Sequence, residues 1–173
     1  MMDQESAAPG MILEQARTFR HPLLRDAYAY WRLRCGDRDM PSRADLSPGE
    51  MRAFLSHVGL VEVREGTNGI EYSIRLSSTK WESVYGSMKG RILADFLPPE
   101  VEERWRMAFD SVRESAKPMR VCAPVLLTRK RWLTCELLVA PLSEDSVVVS
   151  TLFVVFTSRP RDEASPILAA PPI

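Results

Sequence analysis

The chain has 173 residues, 45% hydrophobic and 27% charged, with 23 basic side chains against 23 acidic ones and zero formal net charge. That length suffices for one domain with a real core, and the charge balance excludes a global field drawing the molecule to nucleic acid or an anionic membrane. The longest strongly apolar run, VVVSTLFVVF at 147–156, is about half of the ~20 residues a spanning helix needs.

The opening MMDQESAAPG carries acids where a signal peptide has an apolar stretch. A soluble, cytoplasmic protein is therefore expected, without a nucleic-acid or membrane partner. Residues 1–20 show no sustained period and are expected to be mobile. From Pro22, the stripe Leu24, Ala27, Tyr28, Trp31 and Cys35 predicts an amphipathic helix that stops at Gly36. In MPSRADLSPGE (40–50), Met40-Pro41 imposes an extended link. Ser47 and Glu50 have the spacing of a capping box around Pro48, with Leu46 and Met51 as its staple. A short helix, PGEMRAFLSH, is predicted to follow, so this loop reads as structural in Met40, Pro41, Arg43, Asp45, Ser47 and Glu50.

VGLVEVR (58–64) and IEYSIRL (70–76) read as strands joined by an Asn/Gly turn. Short helical pieces around Trp81 and Tyr85 are broken by Gly86 and Gly90. Pro98-Pro99 opens the clearest helix, where Val101, Trp105, Ala108, Phe109 and Val112 share one face. Its acids lie early and its basic residues late, as the helix dipole favours. Three strands close the domain: PMRVCAPVLLT, RWLTCELLVAPL and SVVVSTLFVVF. The last is apolar on both faces and so belongs in the middle of the sheet. The tail from Ser158, rich in Pro and Ala, is expected to be disordered. The order of elements predicts an α+β domain: a five-stranded antiparallel sheet at 58–157, helices on one face, and a helical extension at 21–57.

The stretch YWRLRCGDRDMPSRADLSPGEMRAFLSHVGLVEV, with its YW helix and Met-Pro-x-Arg-x-Asp-x-x-Pro loop, resembles the opening of a bacterial family of small stand-alone PAS-domain proteins. The likeness runs on through YSIRLSSTKWESVYG and ELLVAPLSED, over roughly residues 22–156, with Ser78-Thr79 where the family usually has Gly-Thr. The resemblance implies a PAS fold and a sensory or regulatory module. It also implies that a ligand, where one is bound, lies between the sheet and its helices. Tyr72, Ile74, Trp81, Tyr85, Trp105 and Phe109 would then wall the pocket, and Arg75 would be an anion clamp. Aromatic residues at such spacings more often fill a core than wall a pocket, and an arginine in an alternating strand more often faces solvent. The Leu24, Tyr28 and Trp31 face is the candidate homodimer interface.

Heme is not expected, because His21 and His57 lie outside the middle helices. Flavin is not expected either, because the Asn-Cys-Arg-Phe-Leu-Gln string of the flavin photoreceptors is absent. Cys35, Cys122 and Cys135 lack CxxC spacing and read as free thiols, so no metal site is expected. GxSxG, P-loop, GxGxxG and HExxH signatures are missing. Alternation places Glu136 opposite Leu137, on the more exposed face, and the basic TRKR tip (128–131) reads as a solvated turn. The leading expectation is a non-catalytic sensor that binds a small molecule or an unidentified signalling protein and dimerises. A ligand-free adaptor is the alternative, and a small enzyme using His57 or Glu136 as base is a more distant one.

Overall fold

The two-faced strand lies in the sheet's interior. In the computed structural model, which describes residues 10–162, β6 (Thr151–Pro160) pairs with β5 (Leu133–Leu142) on one side and β2 (Val58–Gly66) on the other. Next to β5 lies β4 (Met119–Pro124), and next to β2 lies β3 (Gly69–Leu76). A short β1 (Ile12–Gln15) completes the order β1-β4-β5-β6-β2-β3, every pair antiparallel.

The sheet therefore has six strands where five were expected, and the extra one falls in the segment expected to be mobile. Registering Ile12 opposite Cys122 and Gln15 opposite Met119 satisfies the free edge of β4. β6 also continues to Pro160, past the expected start of the disordered tail. Residues 1–9 and 163–173, the remainder of those two expectations, lie outside the described residues.

At its other end β6 begins later than predicted. Ser146 takes a left-handed φ of 62°, and the Asp145 carboxylate accepts the N–H groups of Val147 and Val148 at 2.8 Å each. The valines of that turn are exposed instead of joining the strand.

Side-chain alternation along β5 and β6 divides the core in two. Leu137, Val139, Leu152, Val154 and Phe156 face one cluster, and Leu138, Ala140, Phe153 and Val155 face the other. The first is roofed by α2 (Thr79–Tyr85), α3 (Leu93–Phe96) and α4 (Pro99–Ser115). All of the predicted α4 stripe is buried there. Ser78, which departs from the family's usual Gly, caps α2 by accepting the Trp81 N–H at 3.0 Å.

The opposite face is closed by α1 (Pro22–Cys35), ended by Gly36 at φ 57°. Leu24 and Trp31 are 0% and 1% exposed, and Trp31 Nε1 donates to the Pro141 carbonyl at 3.0 Å. Burying such side chains stabilises by about 1.5–3 kcal/mol each. It also corrects the dimer expectation: Leu24 and Trp31 are spent inside the protomer. Tyr28 is half-buried and stacks on Trp31 at 6.3 Å.

The 40–57 connection is structural, by a different device from the one predicted. Met40 and Pro41 are buried, and the Pro41 carbonyl accepts the Ser143 N–H at 3.0 Å. Asp45 accepts from Ser42 N (2.7 Å), Ser42 Oγ (3.0 Å) and Arg38 (2.7 Å). Arg43 contributes its backbone N–H to Glu144 at 3.1 Å. Ser47 and Glu50 do not form the predicted capping box. The Ser47 N–H donates to the Tyr30 hydroxyl, and Glu50 is drawn to Tyr30 and Arg34. Residues 48–54 accordingly run as turns into a short 3-10 piece, Leu55–His57, in place of the predicted α-helix.

Candidate functional site

The inner face of the sheet and the helices over it bring together Tyr72, Ile74, Trp81, Tyr85, Trp105 and Phe109. β3 supplies Tyr72 and Ile74 on alternate positions, α2 supplies Trp81 and Tyr85 one turn apart, and α4 supplies Trp105 and Phe109 in the same way. Their rings pack on one another: Trp81 on Trp105 at 5.2 Å, Tyr72 on Phe109 at 5.1 Å, and Tyr85 edge-on to Trp105 at 5.6 Å.

Beside them lies a cleft of about 30 Å³ whose lining includes Met11, Tyr85, Trp105, Ala108, Cys135 and Leu137. That is room for one or two waters, against several hundred cubic ångströms for a small-molecule pocket. The Trp81 Nε1–H in this cluster is buried without an acceptor among the described residues. Tyr72 donates its hydroxyl to Asp110 at 2.5 Å at the rim, and burial and that carboxylate push its pKa far up.

Arg75 does not join them. Its side chain is 52% exposed and reaches Glu62 at 3.6 Å, which makes it a surface residue and corrects the anion-clamp expectation. Alternation along β3, where Tyr72 and Ile74 point inward, turns Arg75 outward.

The titratable groups near the sheet are occupied. Burial pushes the Cys135 thiol up to about 12 and Cys122 up to about 11, so both stay protonated at neutral pH. His57 Nδ1 is 2.7 Å from the Phe156 carbonyl; that oxygen can only accept, so the ring nitrogen donates. Burial holds the His57 pKa below its ordinary value. No group of three His, Cys, Asp or Glu residues among those described is placed to hold a metal, and no described helix is long and apolar enough to cross a membrane.

Glu136 differs from expectation. It does face away from Leu137, but it is only 9% exposed. Oε1 accepts from Arg20 N at 2.8 Å and Arg120 Nε at 2.7 Å, and Oε2 from His21 N at 3.0 Å. Burial alone would raise its pKa; the two backbone donors and the guanidinium overcome this and hold it below the ordinary carboxylate range. Arg120 also reaches Glu14 of β1 at 2.7 Å. This clamp joins β1, β4, β5 and the start of α1. Arg120 carried no signal in the sequence, because its partners lie 16 and 106 positions away.

A six-stranded antiparallel sheet with α2, α3 and α4 over one face and α1 over the other defines a small α+β domain. A PAS domain model matches residues 19–155, and the chain belongs to that family. A comparison with curated proteins finds no match. Among solved structures, the chain is similar at 10% identity and a TM-score of 0.45 to one described as an RNA-binding Light-Oxygen-Voltage receptor. That likeness covers 88% of this chain and 39% of the other, so this chain spans well under half of that protein.

Proposed function

We propose that this protein is a non-catalytic regulatory PAS module that acts by contact with a partner protein, its ring-filled interior serving as an ordered scaffold. The observation that carries this reading is the inner cleft of about 30 Å³, bordered by Tyr85 and Trp105, whose rings pack together with those of Trp81 and Phe109. Protonated thiols, a histidine engaged with a backbone carbonyl and a carboxylate held in an ion pair support a site that does no chemistry. Self-association, as part of this proposal, has to use a surface other than the buried α1 stripe; light scattering reads that state directly.

A second reading has one observation in its favour. The unpaired Trp81 indole N–H would be satisfied by the acceptor of a small, mostly apolar guest, admitted by movement of Tyr85 and Trp105. Native mass spectrometry followed by denaturation separates the two. The scaffold reading expects the bare chain mass. A stoichiometric apolar molecule released on denaturation would overturn it in favour of the ligand sensor.

A further inference from the structure

The α1 helix covers only part of the outer face. Beyond Leu138 and Val155, the same sides of β5 and β6 continue as Thr134, Glu136, Thr157 and Arg159, in register with each other. Only residues 20–22, at the start of α1, reach over this polar half, where the Arg20 and His21 N–H groups meet Glu136, and two adjoining clefts of about 60 and 180 Å³ open beside them. Both are lined by Arg20, Glu136 and Arg159; the smaller adds Arg120 and Arg161, the larger His21 and Ser158.

The charge of this groove is not balanced. Glu136 and Glu14 neutralise Arg120, and Asp162 pairs with Arg159 at 2.6 Å. Arg20 and Arg161 have no carboxylate partner among the described residues; the Arg161 guanidinium donates to the Arg131 carbonyl at 3.0 Å. With Arg20, Arg120, Arg159 and Arg161 against Glu14, Glu136 and Asp162, the groove carries a net charge of +1, and the two guanidinium groups without a carboxylate partner suit a phosphate anion. The volume is that of the charged end of a ligand and not of a whole drug-sized molecule.

A flat surface lies beside it. The Trp132 carbonyl accepts the Arg161 N–H at 2.8 Å, which holds residue 132 beside residue 161, and Trp132 is 57% exposed while Trp31, Trp81 and Trp105 are buried. Arg129, Lys130 and Arg131 precede it. An exposed indole beside arginines is the arrangement on which a nucleobase stacks while its phosphate is held.

We propose that this outer-face groove binds a nucleoside phosphate, with the phosphate between Arg20, Arg159 and Arg161 and the base over Trp132. The site is separate from the inner cleft and does not rest on the function proposed above.

The test titrates the purified full chain with ATP, inorganic tripolyphosphate and a short oligouridylate, following tryptophan fluorescence and heat. Binding of ATP is expected, weakened about tenfold or more in R20Q and R161Q, since a hydrogen bond to a charged group contributes about 1.5–3 kcal/mol. W132A is expected to bind ATP no better than tripolyphosphate. Unchanged melting temperatures in these surface variants exclude unfolding as the cause. ATP binding tighter than the oligonucleotide assigns the source to a free nucleotide. The reverse, with a steep salt dependence, assigns it to a strand. The proposal is overturned by failure of both ATP and the oligonucleotide to bind at millimolar concentration, by variants that bind as tightly as the parent, or by native chain that does not distinguish ATP from tripolyphosphate. A phosphate-bearing mass in the native spectrum points to this groove, an apolar one to the inner cleft, so the two proposals fail separately.

Discussion

Replacing Glu136 by alanine tests the clamp that anchors the N-terminal elements to the sheet. The substitution removes three acceptor contacts at 2.7–3.0 Å. It leaves the Arg20 and His21 N–H groups unpaired and Arg120, whose side chain is 10% exposed, with Glu14 alone. Breaking a buried ion pair by deleting one partner costs about 3–5 kcal/mol. Half-exposed Glu14 still serves Arg120, so the lower end, about 3 kcal/mol, is expected. For a chain of this size that corresponds to a fall of about 6–12 °C in Tm.

The pH dependence gives a second check. The folded-state pKa of Glu136 lies below the ordinary carboxylate value of about 4.5. Its contribution is therefore fully present above about 4.5 and lost as pH falls through the folded value. Urea unfolding of parent and variant at a series of pH values should show a difference that is constant near neutrality and shrinks in acid. A loss under about 0.5 kcal/mol at neutral pH, the range of ordinary surface substitutions, would refute the reasoning. So would a difference that does not change as the carboxylate protonates.

Gly59→Ala places a Cβ at 2.5 Å from Trp81 Cζ3 and 3.1 Å from the Leu76 carbonyl; a loss of about 1–3 kcal/mol and an altered near-UV dichroism of the Trp81–Trp105 pair are expected. Ser47→Ala should be near neutral in a thermal melt, since the backbone N–H of Ser47 makes the Tyr30 contact. Tyr30→Phe, which deprives that N–H of its acceptor, should cost about 1 kcal/mol. The depressed His57 pKa means the unfolded chain takes up a proton first as pH drops. Stability from this group is thus full above the ordinary histidine value of about 6.5 and lost as pH falls through the lower folded value, and denaturation of His57→Gln should lack that decline.

Where period and burial agree, the sequence was readable. The α4 stripe recurs with helical spacing over 17 residues, and every stripe position proved buried. β6 is apolar on both faces because it has a core on each side, and its central place followed from that. The wall residues were legible for the same reason, although packing alone decides that they fill the space.

What escaped depends on partners distant in sequence. β1 has four residues and no alternation of its own; only the open edge of β4 makes Ile12–Gln15 a strand. The Ser47–Glu50 spacing satisfied a local rule, but Tyr30 and Arg34, a helix away, compete for those groups. Val147 and Val148 have strand propensity, yet Asp145 accepts their N–H groups in a turn. Arg120 and Glu136 form a pair only once β4 and β5 are in register.

Two rooms of this molecule share a single partition. Ala123, Pro124 and Cys135 border both the inner cleft and the smaller outer one. Glu136, the next residue of β5, lines the outer room alone, so the wall between the two is one strand thick. A shift of that strand that enlarges one side narrows the other, and it drags the clamp on Arg20 and His21 with it.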